Sequence, residues 1–334
     1  MQKSSIYWLS VSILFVFLSC SSNTTEQEKN APKPTAQEKL KSSNTLDTAD
    51  YERRMAYISN GDTTGTWPVK TPYPLPGAIF PYNRVIAYYG NLYSKKMGIL
   101  GELPKDEMLA KLKGEIKQWE AADSTIPVKA ALHYVAVTAQ TNGGKQRMRM
   151  PSHQIDSIVN WAKEIDALVF LDIQVGWSTL EEEIPALEKY LKMPQVHLGI
   201  DPEFSMKFGD LPGTRIGTFD ATDINYAIRY LDTLTRNNNL PPKVLVVHRF
   251  TQGMVTNAAQ IKPMATVQVV IDMDGWGDRI LKRSTWLRYI QKDPVQFGGF
   301  KIFYKNDLKK GAGILYTPAE LMKFTPHPIY IQYQ

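Results

Sequence analysis

From Arg84 onward, short apolar runs alternate with longer segments whose apolar residues recur every three or four positions. The runs are VIAYYG (85–90), KAALHYVAV (129–137), ALVFLDIQVG (167–176), VHLGID (196–201), KVLVVHRF (243–250), VQVVIDMDG (267–275), GFKIFY (299–304) and IYIQYQ (329–334). Their Val, Ile and Leu content suits strands covered on both faces. Between them, Lys105 to Ala121 sets Met108, Leu109, Leu112, Ile116 and Trp119 on one helical stripe. Ser178-Thr-Leu-Glu181 has the spacing of a capping box that opens a second helix. Ile224, Ile228, Leu231 and Leu234 mark a third, and Asn237-Asn-Asn-Leu-Pro-Pro stops it. Strands alternating with helices over ~250 residues predict an α/β chain with a single (β/α)8 TIM barrel spanning 84–334. An open doubly wound sheet is the alternative. No glycine fingerprint follows any strand, so no dinucleotide site is expected.

The first 83 residues follow other rules. Residues 1–19, MQKSSIYWLSVSILFVFLS, carry an early lysine and an apolar run too short for a comfortable membrane span, the pattern of a secretory signal. Phe17-Leu18-Ser19-Cys20 resembles the bacterial lipobox, in which the signal is cut before a cysteine that becomes lipidated. That resemblance implies a lipoprotein held to the cell envelope through acyl chains on Cys20, at the outer membrane or cell surface. The chain has one cysteine, which excludes a disulfide framework and a multi-cysteine metal centre. Residues 20–50 are polar and aperiodic and read as a flexible tether, with a helix around Ala36 to Lys41 as the alternative. Residues 51–83 form a leading segment containing the proline-rich TWPVKTPYPLPGAIFP. The net charge of +6 is scattered, without a basic helix or zinc-knuckle spacing, so nucleic acid is not an expected partner.

Barrel active sites lie at the carboxyl ends of the strands, and alternate side chains of a strand face the interior. In chain order the strand ends offer Tyr89, with Tyr88 on the other face; His133; Asp172 and Gln174; and His197, Gly199, Asp201 and Glu203, all of one parity. His248 and Arg249, then Asp272 and Asp274, then Lys301 and finally Gln332 follow. An isolated buried charge costs several kcal/mol, so a barrel built for stability alone would carry aliphatic residues there. Each residue singly also fits a structural duty: a cap for Asp201, a core histidine for His133 or His248, an Asp-Gly turn for Asp274. Their convergence predicts a polar pocket. Two close carboxylates push their pKa values apart, so that one serves as acid and the other stays anionic, the division of labour of glycoside hydrolysis. Glu203, Asp201, Asp272 and Asp274 are the expected catalytic carboxylates. Tyr89, His133, Asp172, Gln174, His248, Arg249 and Lys301 are expected to hold substrate. Tyr88, Tyr89, Trp177 and Trp276 are placed to stack on a sugar or to pack under loops. Arg147 and Arg149 either hold an anionic ligand or form a solvated loop face.

Asp201-Pro202-Glu203 resembles the Asp-x-Glu that ends the fourth strand of chitinase-like glycoside hydrolases, and Ile271-Asp-Met-Asp274 is similar to their sixth-strand Met-x-Tyr-Asp. The resemblance implies Glu203 as the acid. Val196 and Gly199 stand where that family carries further aspartates. Hydrolases with glutamates on strands four and seven are less similar: Glu203 follows proline rather than asparagine, and strand seven carries Lys301. YYGN, LDIQVG, IDPEF, VVHRF and the terminal YIQYQ also resemble a group of secreted or lipid-anchored bacterial barrels across most of 84–334. That likeness implies fold and export and leaves the chemistry open.

Three functions follow as expectations. The first is hydrolysis of a cell-envelope or environmental polysaccharide, with no cofactor. The second is a metal-dependent phosphodiesterase with Asp172, Asp201, Glu203, Asp272 and His248 around a divalent cation. His248-Arg249 is similar to the His-Arg of glycerophosphodiester phosphodiesterases, although theirs lies on the first strand, where this chain has Tyr88-Tyr89-Gly90. The third is a lipoprotein that binds a glycan or other small polar ligand without turning it over.

Overall fold

A computed structural model describes residues 45–309 and 313–334. Its eight principal strands are β1 (Arg84–Gly90), β2 (Val128–Ala139), β3 (Leu168–Ile173), β4 (Val196–Ile200), β5 (Lys243–Arg249), β6 (Val267–Met273), β7 (Phe297–Ile302) and β8 (Tyr330–Tyr333). All pair in parallel with their neighbours, and β1 pairs with both β8 and β2, which closes the ring. The chain is therefore a (β/α)8 barrel, and the open sheet is excluded by that closure. A short strand, Arg147–Arg149, adds antiparallel to the end of β2. Helices on the outside include α2 (Lys105–Ala122), α3 (Ser152–Glu164), α4 (Leu180–Ala186), α5 (Ala221–Asn237) and α6 (Arg279–Trp286).

Side-chain alternation splits the apolar residues into two cores. One parity, with Ile86, Tyr88, Leu132, Tyr134, Val169 and Leu171, packs between the strands and the helices. The other, with Val85, Ala87, Ala131, Phe170, Val246 and Tyr330, fills the inside of the barrel. The inner core continues into Tyr51, Met55 and Ile58 of α1 (Thr48–Ile58), a helix that precedes β1 and plugs the amino-terminal end of the ring. Two differences from the sequence reading follow. Thr48 to Asp50, expected in the tether, belong to α1, because Asp47 caps it and Tyr51 already buries its ring. The 51–83 segment is part of the barrel's floor: Gln268 accepts from the amides of Ile79 and Phe80 at 3.1 Å each and donates to Phe80 O at 2.7 Å. The lipobox, Cys20 and the proposed helix at 36–41 lie outside the described residues.

The expected capping box at Ser178 does not form. Thr179 occupies the cap position of α4 without a side-chain bond, and the Ser178 hydroxyl instead lies within hydrogen-bond reach of the Glu182 and Glu183 carboxylates. Arg147 and Arg149 have a structural role as well: both Nε groups pair with the fully buried Glu183 carboxylate at 2.7 Å. Among the described residues no helix is long and apolar enough to cross a membrane.

At the plugged end one ion pair joins three elements. Arg84, at the start of β1, meets Asp123 at 2.7 Å and donates to Pro328 O at 3.2 Å. Asp123, just past α2, also accepts from Tyr57 of α1 at 2.8 Å. Both charges are buried, so Asp123→Ala strands a guanidinium in the interior. The expected loss is about 3–5 kcal/mol of unfolding free energy, read by denaturant titration; a change under about 1 kcal/mol would show the pair to be dispensable.

Candidate functional site

The carboxyl ends of the strands open into a cavity of ≈ 630 Å³. Seven of the residues singled out from sequence line it: Tyr89, Gln174, Asp201, Glu203, Asp274, Trp276 and Lys301. His133, Asp172, His248 and Asp272 point inward one layer deeper and are fully buried. The strand register explains the division. Tyr89 is level with His133, Asp172 with Gly199, and His248 with Asp272, whereas Asp201 and Asp274 lie two residues further along their strands.

Asp201 and Glu203 take different positions although they share a parity. β4 ends at Ile200, and Asp201 caps a single turn over Pro202–Phe204 by accepting from Glu203 N at 3.0 Å. Its other oxygen accepts from Gln174 at 3.2 Å. Asp201 thus performs its cap and lines the cavity at once. Burial, reinforced by the negative charge of Glu203, Asp172 and Asp274, holds its carboxyl well above the ordinary range despite His248. Glu203, partly exposed at the cavity wall, is raised to about 7 by burial and by Asp274. Asp274 goes the other way. Burial raises it, but the Lys301 ammonium at 2.9 Å and His248 at 3.2 Å outweigh burial and keep it ionised below the usual range.

Beneath the floor, His248 is surrounded by acids. Its Nε2 lies 3.5 Å from Asp172, and its Nδ1 lies 3.3 Å from Asp272 and 3.2 Å from Asp274. Burial favours the neutral ring, yet Asp172 and Asp274 win and raise it well above the ordinary histidine value. His133 stays neutral: burial lowers it to about 4 against the pull of Asp172. Burial also raises Asp272. Asp172 is held low by His248 and His133 although burial opposes this. Tyr89 joins the layers, donating to Asp172 at 3.1 Å while the Lys301 ammonium sits 3.8 Å above its ring centre.

Several expectations need correction. Arg249 is not at the cavity: it pairs with Asp293 at 2.8 Å and lies against the Tyr289 ring, because its parity on β5 is opposite to that of His248. Asp272, expected as a catalytic carboxylate, and His133, Asp172 and His248, expected to hold substrate, are buried below the cavity and do not line it. Tyr88 is buried on the outer face, 3.1 Å from the Tyr304 hydroxyl, and offers no sugar platform. Trp276 lines the cavity and is 46% exposed. Trp177 is outside it, donating to Asp210 O at 2.7 Å.

Sequence reasoning missed other parts. Phe204, Phe250 and Phe303 supply apolar wall. They come from loops, where no period marks direction. Tyr330 reaches His133 Nδ1 at 2.6 Å and was legible in principle, since it shares the parity of Gln332. Lys282 of α6, almost wholly buried, pairs with Asp307 at 2.8 Å and donates to Gly275 O at 3.0 Å and Lys301 O at 2.7 Å. Asp307 accepts from Gly277 N and Phe303 N. This knot holds the loops after β6 and β7 against each other and so places Trp276 and Phe303 on the cavity wall.

The fold and site define a (β/α)8 barrel with a carboxylate-rich cavity over a buried imidazole–carboxylate cluster. Similar folds occur among solved structures. An endo-beta-1,4-glucanase from Xanthomonas axonopodis pv. citri, crystallised as a triple mutant, is 13% identical with a TM-score of 0.36, over 65% of this chain and 79% of that one. A dihydropteroate synthase from Burkholderia cenocepacia is 10% identical with a TM-score of 0.34, over 79% of this chain and 91% of that one. A sugar phosphate isomerase/epimerase from Parabacteroides distasonis is 10% identical with a TM-score of 0.34, over 80% of this chain and 90% of that one. Three unlike activities at these values carry no argument about chemistry here. No protein-family model and no curated protein matches the chain.

Gly199 sets the packing of the deeper layer. A Cβ there would sit 2.5 Å from both Asp172 Oδ1 and His133 Nε2, so Gly199→Ala is expected to lower stability by about 1–3 kcal/mol. Gly114, inside α2 with open space around it, is the control: Gly114→Ala should raise stability by up to about 1 kcal/mol. Equal responses in denaturant titration would contradict this account.

Proposed function

We propose that the protein is a glycoside-hydrolase-like enzyme acting on a polysaccharide, with Glu203 as general acid and Asp274 as the anionic partner. One observation carries this reading: two carboxyls lining the same cavity are driven to opposite protonation states. Glu203 titrates at about 7 and keeps its proton in mildly acidic solution, where it can protonate a glycosidic oxygen. Asp274 is ionised across that range, paired with Lys301, and can stabilise positive charge at the sugar's anomeric carbon or activate water. The wall supports a sugar reading. Trp276, Phe204, Phe250 and Phe303 give the lining aromatic surface suited to the apolar sides of pyranoses, and Gln174, Thr138 and Asn306 add polar groups. Asp201, neutral and fixed by its own turn and by Gln174, is better suited to hold a substrate hydroxyl than to transfer a proton.

This reading includes the envelope setting: the chain is anchored through lipid on Cys20, with the barrel reaching extracellular or envelope glycans. Cys20→Ala should shift the protein from the membrane fraction to the soluble fraction of expressing cells. Unchanged membrane retention would remove the anchor from the proposal.

The acid role has a sign. Activity requires protonated Glu203, so kcat/KM on a hydrolysed glycan should fall as pH rises through about 7. On the acid side it should persist below the ordinary carboxylate range, because Asp274 is lowered. Glu203→Gln should reduce turnover by about 10²–10⁴-fold with unchanged circular dichroism. A folded Glu203→Gln protein with undiminished turnover refutes the assignment. Stable glycan retention by the wild type with no product formed would make the cavity a binding site.

A further inference from the structure

Below the cavity floor, buried polar atoms converge without hydrogen-bond partners. His133 Nε2, Asp172 Oδ1 and His248 Nε2 are all unpartnered, in residues of 0% exposure. Leaving such atoms unsatisfied costs about 1–3 kcal/mol each, so their gathering at one point calls for a ligand. The three lie within 4.8 Å of one another. From these donors we infer that His133, Asp172 and His248 bind a divalent transition-metal ion of the zinc type, at a site one layer below the Glu203–Asp274 pair and joined to it by the His248–Asp274 contact.

The spacing fits. Donors about 2.0–2.2 Å from a tetrahedral zinc lie about 3.3 Å apart. Asp172 Oδ1 is 3.5 Å from each of the two imidazole nitrogens. Two imidazoles and one carboxylate suit zinc or another late transition metal, and they are a poor set for magnesium or calcium, which take oxygen ligands. Of the cation ligands expected from sequence, Asp172 and His248 belong to this group; Asp201 and Glu203 face the cavity, Asp272 lies behind His248, and His133 completes the set.

Each donor is also oriented from behind, as metal ligands are. His133 Nδ1 is held from behind by the Tyr330 hydroxyl at 2.6 Å and by Gln332 Nε2 at 3.1 Å, so the ring is fixed with Nε2 turned toward Asp172. Gln332 holds that same hydroxyl from 3.0 Å. His133 is further locked by stacking on Phe170, with an interplanar angle of 7°. His248 Nδ1 faces Asp272 and Asp274 at 3.3 and 3.2 Å. Asp172 has its second oxygen held by Tyr89 at 3.1 Å. Gly199 leaves room beside the donors, since any Cβ there would fall 2.5 Å from two of them.

The ion lies one layer under the cavity and ties Tyr89 to the ring of strands. It needs no contact with substrate.

The test uses the full chain, stripped with a chelator and titrated with ZnCl2, with MgCl2 as control. The expected result is about one zinc per chain by calorimetry and elemental analysis, no response to magnesium, and the visible absorption of four-coordinate cobalt(II) when CoCl2 replaces zinc. Asp172→Asn and His133→Gln, checked for folding by circular dichroism, should weaken zinc by more than about 100-fold. Should both fail to fold, zinc-soaked wild-type crystals decide: an anomalous peak about 2.0–2.2 Å from all three donor atoms supports the site. An ordered water only, zinc bound elsewhere, equal binding of magnesium, or undiminished zinc binding by folded variants overturns it. None of these readouts involves turnover, so the hydrolase reading can fail while this one stands.

Discussion

The field inside the barrel governs the rest of this structure. Eight parallel strands close into a ring, and residues of one parity face a water-poor interior from every side. Where that interior holds Asp172, His248, Asp272, Asp274 and Lys301, no charge can persist without an answer within a few ångströms. Lys301 contacts Asp274, and Asp172, Asp272 and Asp274 surround His248. The pKa pattern at the cavity is a consequence of this arrangement and would not exist for the same residues in water.

That field also accounts for how the cavity differentiates chemically similar groups. Asp201, Glu203 and Asp274 are all carboxyls near one floor. Only Asp274 has an ammonium in contact, and only Asp274 is lowered. Glu203 reaches further toward the opening and is raised less far than the fully enclosed Asp201. Proton affinity is set by position along β4 and β6 and by distance from Lys301 on β7.

Stability and site placement rest on separate devices. Arg84, Asp123 and Tyr57 fasten α1 to the amino-terminal end of the ring, far from the cavity. Lys282 and Asp307 fasten the loops at the other end. The second pair is the more consequential for function, because it sets the positions of Gly275 to Gly277 and Phe303, and with them the aromatic wall. Neither pair has a local sequence signal: Arg84 and Asp123 are 39 residues apart, and Lys282 and Asp307 are distant in the chain as well.

The strands were legible because an apolar run covered on both faces is a local property, and all eight expected runs lie on the observed strands within a few residues. Alternation by two then told which residues point inward, which is why Tyr89, His133, Asp172, His248, Asp272 and Lys301 could be named in advance. The same rule, applied strictly, would have set Arg249 aside and included Tyr330. Local pattern failed where a side chain's partner decided its role. Ser178 spends its hydroxyl on Glu182 and Glu183 rather than on a helix cap, and Arg147 and Arg149 are taken by Glu183. The amino-terminal plug was hidden because its helix buries a face against residues far along the chain. Periodicity by itself therefore determined the barrel and the set of inward side chains. Only the closed ring decided which of them share a layer, which are charged and which meet the cavity, because those outcomes depend on distances between strands that no stretch of sequence contains.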